Sequence, residues 1–406
     1  MTGKIKSAGM IICFLSILII TCTTYAMAEK KVIKIGSIFG YTGVVSTVQT
    51  LLSEGLIDYI KYFNETGGAD LHPGLKGYKI EHISVDSGYN IPGFLKQYWS
   101  LSEKGCKMIY SYSSQGGDAV KDYVGKDHMP MVAMAITDRQ MFPPGWIFGP
   151  GVMYADGYMA FVKWALGKHK EKRPLRIVWM TNDNPFGRAP IKRCTAYAKS
   201  KGVKIFGPVY IPKVPVDITA ELKTVMSYKP DYVLGNISEA LPATMATVER
   251  MGIHKKDVIF GFWWPVAAAF KMAPKACEKV YFFNPWGLKE EDTRGMKFAR
   301  TLFKKYRKGK KYTGIMYTTG PYAGRAALGA LELALQKVSI DKLNGDNIVK
   351  YGWERMKDYD MFGLGPNLTF TGGDRRGAKH TRITTVRNKN LVPVTGYIPI
   401  PEFKYE

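Results

Sequence analysis

The chain has 406 residues, 46% of them hydrophobic, and carries 58 Lys and Arg against 34 Asp and Glu, a formal net charge of +24. With no low-complexity tract, that length and apolar content provide for two domains with real cores. Of five cysteines only Cys106, Cys194 and Cys277 lie beyond residue 28, widely spaced and without a CxxC pair, which excludes a disulfide framework while leaving room for a single bridge.

Taken from the start, Lys4 and Lys6 precede an apolar run at 10–20, and Ala26-Met27-Ala28 then offers small residues at both cleavage-specifying positions. This is the pattern of a secretory signal peptide spanning 1–28 and cut before Glu29. The run is too short to span a bilayer and is followed by polar residues at 21–24. Cys22 raises a lipid-anchored alternative, but Ile19-Ile20-Thr21 lacks the small residue that such a site needs immediately before the cysteine. Soluble export is the expectation. Loss of the leader, which holds two lysines and no acid, leaves +22. Such a charge favours anionic ligands, acidic membrane surfaces or nucleic acid. Nucleic acid fits poorly, because the basic residues are spread along the chain. "KHKEKR" (168–173) and "KKYRKGKK" (304–311) read as solvated helix ends and loops.

The mature part opens on a strand, "VIKIGSIF" (32–39), then a loop and a helix running to "NETGG" (64–68), where paired glycines give a stop. "YKIEHISVD" (78–86) alternates apolar and polar as a strand does. A helix at 93–105, a strand at 106–112, a helix at 116–127 and a strand at 129–135 follow. This rhythm predicts a parallel sheet with helices on both faces. It restarts after 145–157, with strands at 175–181, 204–211, 231–237 and 257–262 separated by helical stretches. The tail departs from it: 319–338 is a long helix rich in small residues, and 364–400 is a turn-rich β segment with a hairpin at "RNKN". The fold class is α/β in two tandem units.

Catalytic motifs are missing: no GxSxG, HExxH, GxxxxGK[ST] or helix-opening GxGxxG occurs. The six histidines are isolated, none with a second ligand at metal spacing, so neither a metal nor another cofactor is expected. Polar and aromatic residues instead gather at strand C-terminal ends, where open α/β sheets bind ligands. After the third strand "SYSSQGGD" (111–118) puts Ser113 and Ser114 at a helix start, where they either hold a carboxylate or simply cap the helix. After the fourth, "AITDRQ" offers Thr137 and Arg139 for the same anion. "TNDNPFGRAP" (181–190), "GNISEA" (235–240) and "GFWWP" (261–265) occupy equivalent loops of the second unit.

Together, "IKIG…TG", "IKYFNETGG", "VDSGYNIPG", "YSSQGG", "NDNPFG" and "GPNLTFTGGDRRG" resemble the type I periplasmic solute-binding proteins of ABC transporters, in the leucine/isoleucine/valine-binding branch. The resemblance runs over the whole mature chain. It implies a type I periplasmic-binding-protein fold, with two doubly wound parallel-sheet lobes joined by three crossovers near 147–152, 280–286 and 362–372. Lobe 1 would comprise 29–148 and 285–364, and lobe 2 would comprise 149–284 and 365–406. It further implies a monomer in the periplasm, closing over a small solute and delivering it to an ABC permease, with no catalysis. The family's carboxylate-holding serine and threonine positions match Ser114, with Ser113 beside it, and Ala135 and Thr137. Its ligand-covering aromatic matches Phe186. The family's disulfide has no counterpart, since Ser113 stands where one partner cysteine would be.

One departure bears on the ligand. Amino-acid binders of the family commonly place an acid after the strand "DVIFGF", where this chain has Trp263 or Trp264. A desolvated ammonium without a counter-charge would cost several kcal/mol. Either Glu239 or Asp183 takes over that acid, or the solute lacks the amine. Consecutive strand-end residues point to opposite sides, so one tryptophan should pack beneath the strand and the other face the cleft. The solute class is therefore a carboxylate, either an amino acid or an amine-free acid with an apolar or aromatic body. The rival readings are a periplasmic ligand sensor and an exported α/β hydrolase using Ser113 or Ser114, with His128 as its base.

Overall fold

The computed structural model describes residues 31–68, 70–370 and 373–404, and the expected leader lies outside them. The first half of the chain forms a five-stranded parallel sheet from β1 (Lys31–Phe39), β2 (Tyr78–Asp86), β3 (Ile109–Ser111), β4 (Met131–Ala133) and β5 (Ile147–Phe148), in the order β2-β1-β3-β4-β5. The run "IKIGSIF" makes β1 an inner strand, because only a strand covered on both faces can be apolar at successive positions. β2 alternates and sits at the edge. The helix Ser46–Thr66 stops at Gly67, whose φ of 70° a side chain would resist.

The second sheet has seven strands. β6 (Arg176–Asn182), β7 (Lys204–Ile211), β8 (Tyr232–Gly235), β9 (Ile259–Phe262) and β10 (Val280–Phe282) are parallel. The remaining chain adds β11 (His380–Thr381), β12 (Thr384–Arg387), β13 (Asn390–Pro393) and β14 (Ile398–Pro399). β12 and β13 complete the sheet antiparallel, giving β13-β12-β10-β9-β8-β6-β7, while β11 pairs with β14. The hairpin turns through Asn388 and Lys389, both at positive φ, the two-residue geometry that matches the twist of its strands. It is the turn expected at "RNKN". Strands 106–112 and 129–135 shrink to three paired residues each, losing positions at both ends, and the residues after each lead into the loops at the sheet's end.

Two helices return to the first sheet, Arg294–Tyr306 and Ile315–Leu335, and the second starts four residues before its expected position. Small residues there serve a close helix crossing. A Cβ on Gly55 would fall 2.1 Å from the Tyr317 carbonyl oxygen, and one on Gly320 would fall 2.2 Å from the Leu56 nitrogen. The chain therefore visits the first lobe, the second, the first and the second again. The first and third passages run side by side: Gly149 donates to the Arg375 carbonyl (2.8 Å), Gly377 donates to that of Gly149 (2.7 Å), and the Tyr322 hydroxyl donates to Pro150 and Pro366. Arg382, ten residues beyond the third passage, bonds the Trp286 carbonyl at the end of the second and Glu291 just after it.

"KKYRKGKK" is solvated at its lysines, as expected, with Arg307 the exception. Arg307 reaches back to buried Asp58 and Glu54 on Ser46–Thr66, while the exposed Lys310 also bonds Glu54 and the exposed Lys305 pairs with Glu65. "KHKEKR" is largely exposed, as expected, although Arg173 pairs with Asp231.

A pH dependence follows from β2. His82 lies 2.8 Å from the Ser37 hydroxyl, and burial pushes its imidazole down to about 4. The fold favours the neutral ring, so this stability is present above the unfolded value near 6.5 and is lost as pH falls through 4. His82→Gln should flatten that part of the acid limb, a difference on the order of 1–3 kcal/mol, in melting curves collected between pH 7 and 4. Parallel curves for both proteins would show that the ring titrates alike folded and unfolded.

Candidate functional site

Between the lobes, strand ends from both sheets meet at a narrow cavity of ≈ 30 Å³, room for about two water molecules. A wider mouth of ≈ 230 Å³ adjoins it through Tyr89, Asn184, Phe186 and Lys213.

The first lobe contributes the loop after β3. Ser113 has extended backbone and caps the helix Ser114–Lys126, its hydroxyl accepting from the Gly116 amide at 3.0 Å. That conformation turns Ser114 into the cavity, where its buried Oγ faces the Tyr154 hydroxyl without a well-formed hydrogen bond. The following glycines answer to packing. A Cβ on Gly116 would lie 2.3 Å from the Phe94 ring, and one on Gly117 would lie 2.4 Å from Gln140 Nε2. Ala135, after β4, lines the cavity. Thr137 does not: it caps the short helix Asp138–Met141 and donates to Asp118, while Arg139 bonds the Asp118 carbonyl.

From the second lobe come Phe186 after β6, Lys213 after β7, Glu239 after β8 and Trp264 after β9. The adjacent tryptophans diverge. Trp263 is 1% exposed and packs beneath the strand end on Tyr154 (4.8 Å between centroids), so close to Gly157 that a Cβ there would sit 2.6 Å from its ring. Trp264 forms a cavity wall, 5.9 Å from the Tyr112 ring, with its other contact a parallel stack on Trp286 at 5.4 Å and 1°.

Of the eight residues singled out in the sequence, Ser114, Ala135, Phe186, Glu239 and Trp264 come together at the cavity, whereas Ser113, Thr137 and Trp263 lie behind it. Asp183 is turned to the surface, paired with Arg188. His128 is also exposed, held by Asp346 and Trp146, and no base lies within hydrogen-bonding distance of Ser114 Oγ among the described residues. Sequence reasoning missed Tyr89, Tyr112, Tyr154 and Lys213. Lys213 follows β7, so the strand-end rule could have found it; Tyr154 stands where the first passage enters its helix and has no sequence signal.

Electrically the cavity is mixed. Burial raises the Glu239 carboxyl above the usual carboxylate range, an effect that nearby Lys213 opposes. Burial lowers the Lys213 ammonium, which sits 4.7 Å over the Tyr89 ring. A buried hydroxyl and a helix start on one wall, an acid and a cation opposite and aromatic faces between them can hold a small polar molecule by both ends.

Comparison with known proteins gives no match among curated protein sequences. Solved structures share the fold. A branched chain amino acid ABC transporter protein from Thermus thermophilus with bound valine aligns at TM-score 0.81 and 19% identity, covering 91% of this chain and 97% of that one. A fatty acid ABC transporter substrate-binding protein from Thermomonospora curvata aligns at 0.78 and 19%, over 92% and 93%. An ABC transporter solute binding protein from Rhodopseudomonas palustris BisB5, in complex with 3,4-dihydroxy benzoic acid, aligns at 0.72 and 16%, over 91% and 98%. The sequence profile described as periplasmic binding protein matches residues 32–390. With that match over most of its length and two parallel-sheet lobes meeting at a cavity, this chain belongs to the periplasmic binding protein family.

Proposed function

We propose that the protein is the exported solute-binding component of an ABC importer, and that its solute is a small amino acid with an apolar or aromatic body. The observation that carries this is the placing, across the cavity and the wider mouth it opens into, of the buried Ser114 hydroxyl opposite the half-buried Glu239 carboxyl. Ser114, at the start of its helix, takes the solute's carboxylate. Glu239 takes the ammonium, the role that the sequence left open between it and Asp183. Trp264, Phe186 and Tyr112 cover the body. The structures described with valine and with 3,4-dihydroxy benzoic acid share a carboxyl group on their ligands, which supports that end of the assignment. Lobe 1 is assigned to 29–148 and 285–364 and lobe 2 to 149–284 and 365–406, acting as a monomer whose closure is read by a permease. A sensor role would use the same closure, and a gene neighbourhood lacking a permease and ATPase would favour it.

Lys213 supports a second reading, in which it faces an amine-free acid while Glu239 is protonated. Thermal shift on solute-stripped protein beginning at Glu29 separates the two. A ligand at 100 times its Kd should stabilise by about 2.7 kcal/mol. Apolar amino acids are expected to do so, and Glu239→Gln should weaken them about 10- to 100-fold, since a charge-assisted hydrogen bond contributes about 1.5–3 kcal/mol. Stabilisation by amine-free acids alone, unchanged in Glu239→Gln, would overturn the amino-acid assignment.

A further inference from the structure

A second, larger cavity of ≈ 610 Å³ lies away from the solute cleft, where both lobes, the third passage and the C-terminal tail meet. Its feature is Arg193, on the helix Ile191–Ser200 of the second lobe, only 5% exposed. One guanidinium nitrogen donates to the Phe403 carbonyl and the group lies 4.6 Å over the Phe142 ring of the first lobe, yet among the described residues its Nε has no partner and no carboxylate pairs with it. A permanently charged group buried without a paired counter-charge costs several kcal/mol.

The surroundings are cationic. Arg139 and Lys404 line the cavity, and Arg376, itself neutralised by Asp156 and Asp374, lies 5.2 Å from the centre of the Phe142 ring. Three acids oppose an anion. Glu402 is exposed on the tail; Asp138, whose carboxyl burial pushes up to about 6, has one buried oxygen without a partner among the described residues; and Asp156, bonded to Arg376, also attracts Arg193. Asp138 attracts Arg193 without pairing with it, so the guanidinium keeps an open donor edge suited to a planar or tetrahedral oxyanion.

We propose that this cavity is a second ligand site, for a small oxyanion such as phosphate, sulfate or a carboxylate, with Arg193 as its anchor and both lobes in contact with the occupant. Because it bridges the lobes, the occupant favours their closed arrangement.

Inorganic phosphate is the probe, titrated into solute-stripped protein at constant ionic strength made up with chloride. The expected result is saturable stabilisation with one equivalent bound by calorimetry, at least tenfold weaker in Arg193→Gln and several-fold weaker in Lys404→Ala, a surface change that leaves the fold intact. No response beyond that to chloride would overturn the proposal. So would a response that survives Arg193→Gln and strengthens in Glu239→Gln, because the anion would then sit in the solute cleft. The amino-acid panel is read separately, so failure of one reading does not carry the other with it.

Discussion

Arg307→Leu is expected to lower the stability of the first lobe by about 3–5 kcal/mol, the cost of stranding a buried charge by removing its partner. Arg307 makes a two-pronged contact with Asp58, Nε and Nη2 each at 2.8 Å, and a third bond to Glu54 at 3.2 Å. The Asp58 and Glu54 side chains are 3% and 5% exposed, too little for water to take the guanidinium's place. The Tyr317 hydroxyl donates to Asp58 at 2.8 Å, so the cluster ties together three helices of the lobe. Calorimetry should show the melting temperature fall by roughly 10 °C. The neighbouring Lys308→Leu, on an exposed residue of the same run, should change stability by no more than about 0.5 kcal/mol. Adding Asp58→Asn to Arg307→Leu should restore part of the loss, because an uncharged amide is cheaper to leave buried. Equal melting of the two leucine variants would mean that the carboxylates find water when the arginine leaves, and that the cluster is a surface feature.

Arg307 also shows where sequence reading stops. Among six cations in eight residues it looks as solvated as its neighbours, because its partners are invisible locally: Asp58 is 249 positions away and Glu54 is 253. What could be read was whatever depends on local periodicity. Alternation set β2 at Tyr78–Asp86 with its expected ends, the strand read at 204–211 is β7 (Lys204–Ile211), and the placing of ligand groups at strand C-termini drew attention to the loops holding Ser114, Glu239 and Trp264. Within each loop the choice of residue was beyond reach, because a single backbone torsion decides it. Ser113 stays extended at φ −123° and becomes a cap, which hands the cavity to Ser114. The helix Arg294–Tyr306 went unread although Met296, Ala299, Leu302 and Phe303 recur at helical spacing and form its buried face, a signal the sequence did carry.

Trp264→Ala carries the other large expected effect, a loss of both stability and solute affinity. Removing a buried aromatic side chain costs about 3–5 kcal/mol, and Trp264 is 4% exposed. Trp263→Ala should cost a similar amount, since its ring fills the space over Gly157. The two should part company on binding. Trp263 lies behind the cavity, so its removal should leave affinity within a few-fold. Trp264 forms the wall, and its loss should weaken the solute at least tenfold, in keeping with lost burial plus a stacking contribution of about 0.5–1.5 kcal/mol. Trp264 also stacks on Trp286, which is fully buried at the end of the second passage and has its carbonyl held by Arg382. Trp264→Phe keeps an aromatic wall but thins that stack, and should fall between the native protein and the alanine variant. Melting curves with and without solute, alongside a direct titration, measure the two effects separately. If Trp263→Ala abolished binding while Trp264→Ala spared it, the assignment of the two rings would be reversed. If both spared it, the solute would rest on the tyrosines and Phe186, and the paired tryptophans would belong to the hinge.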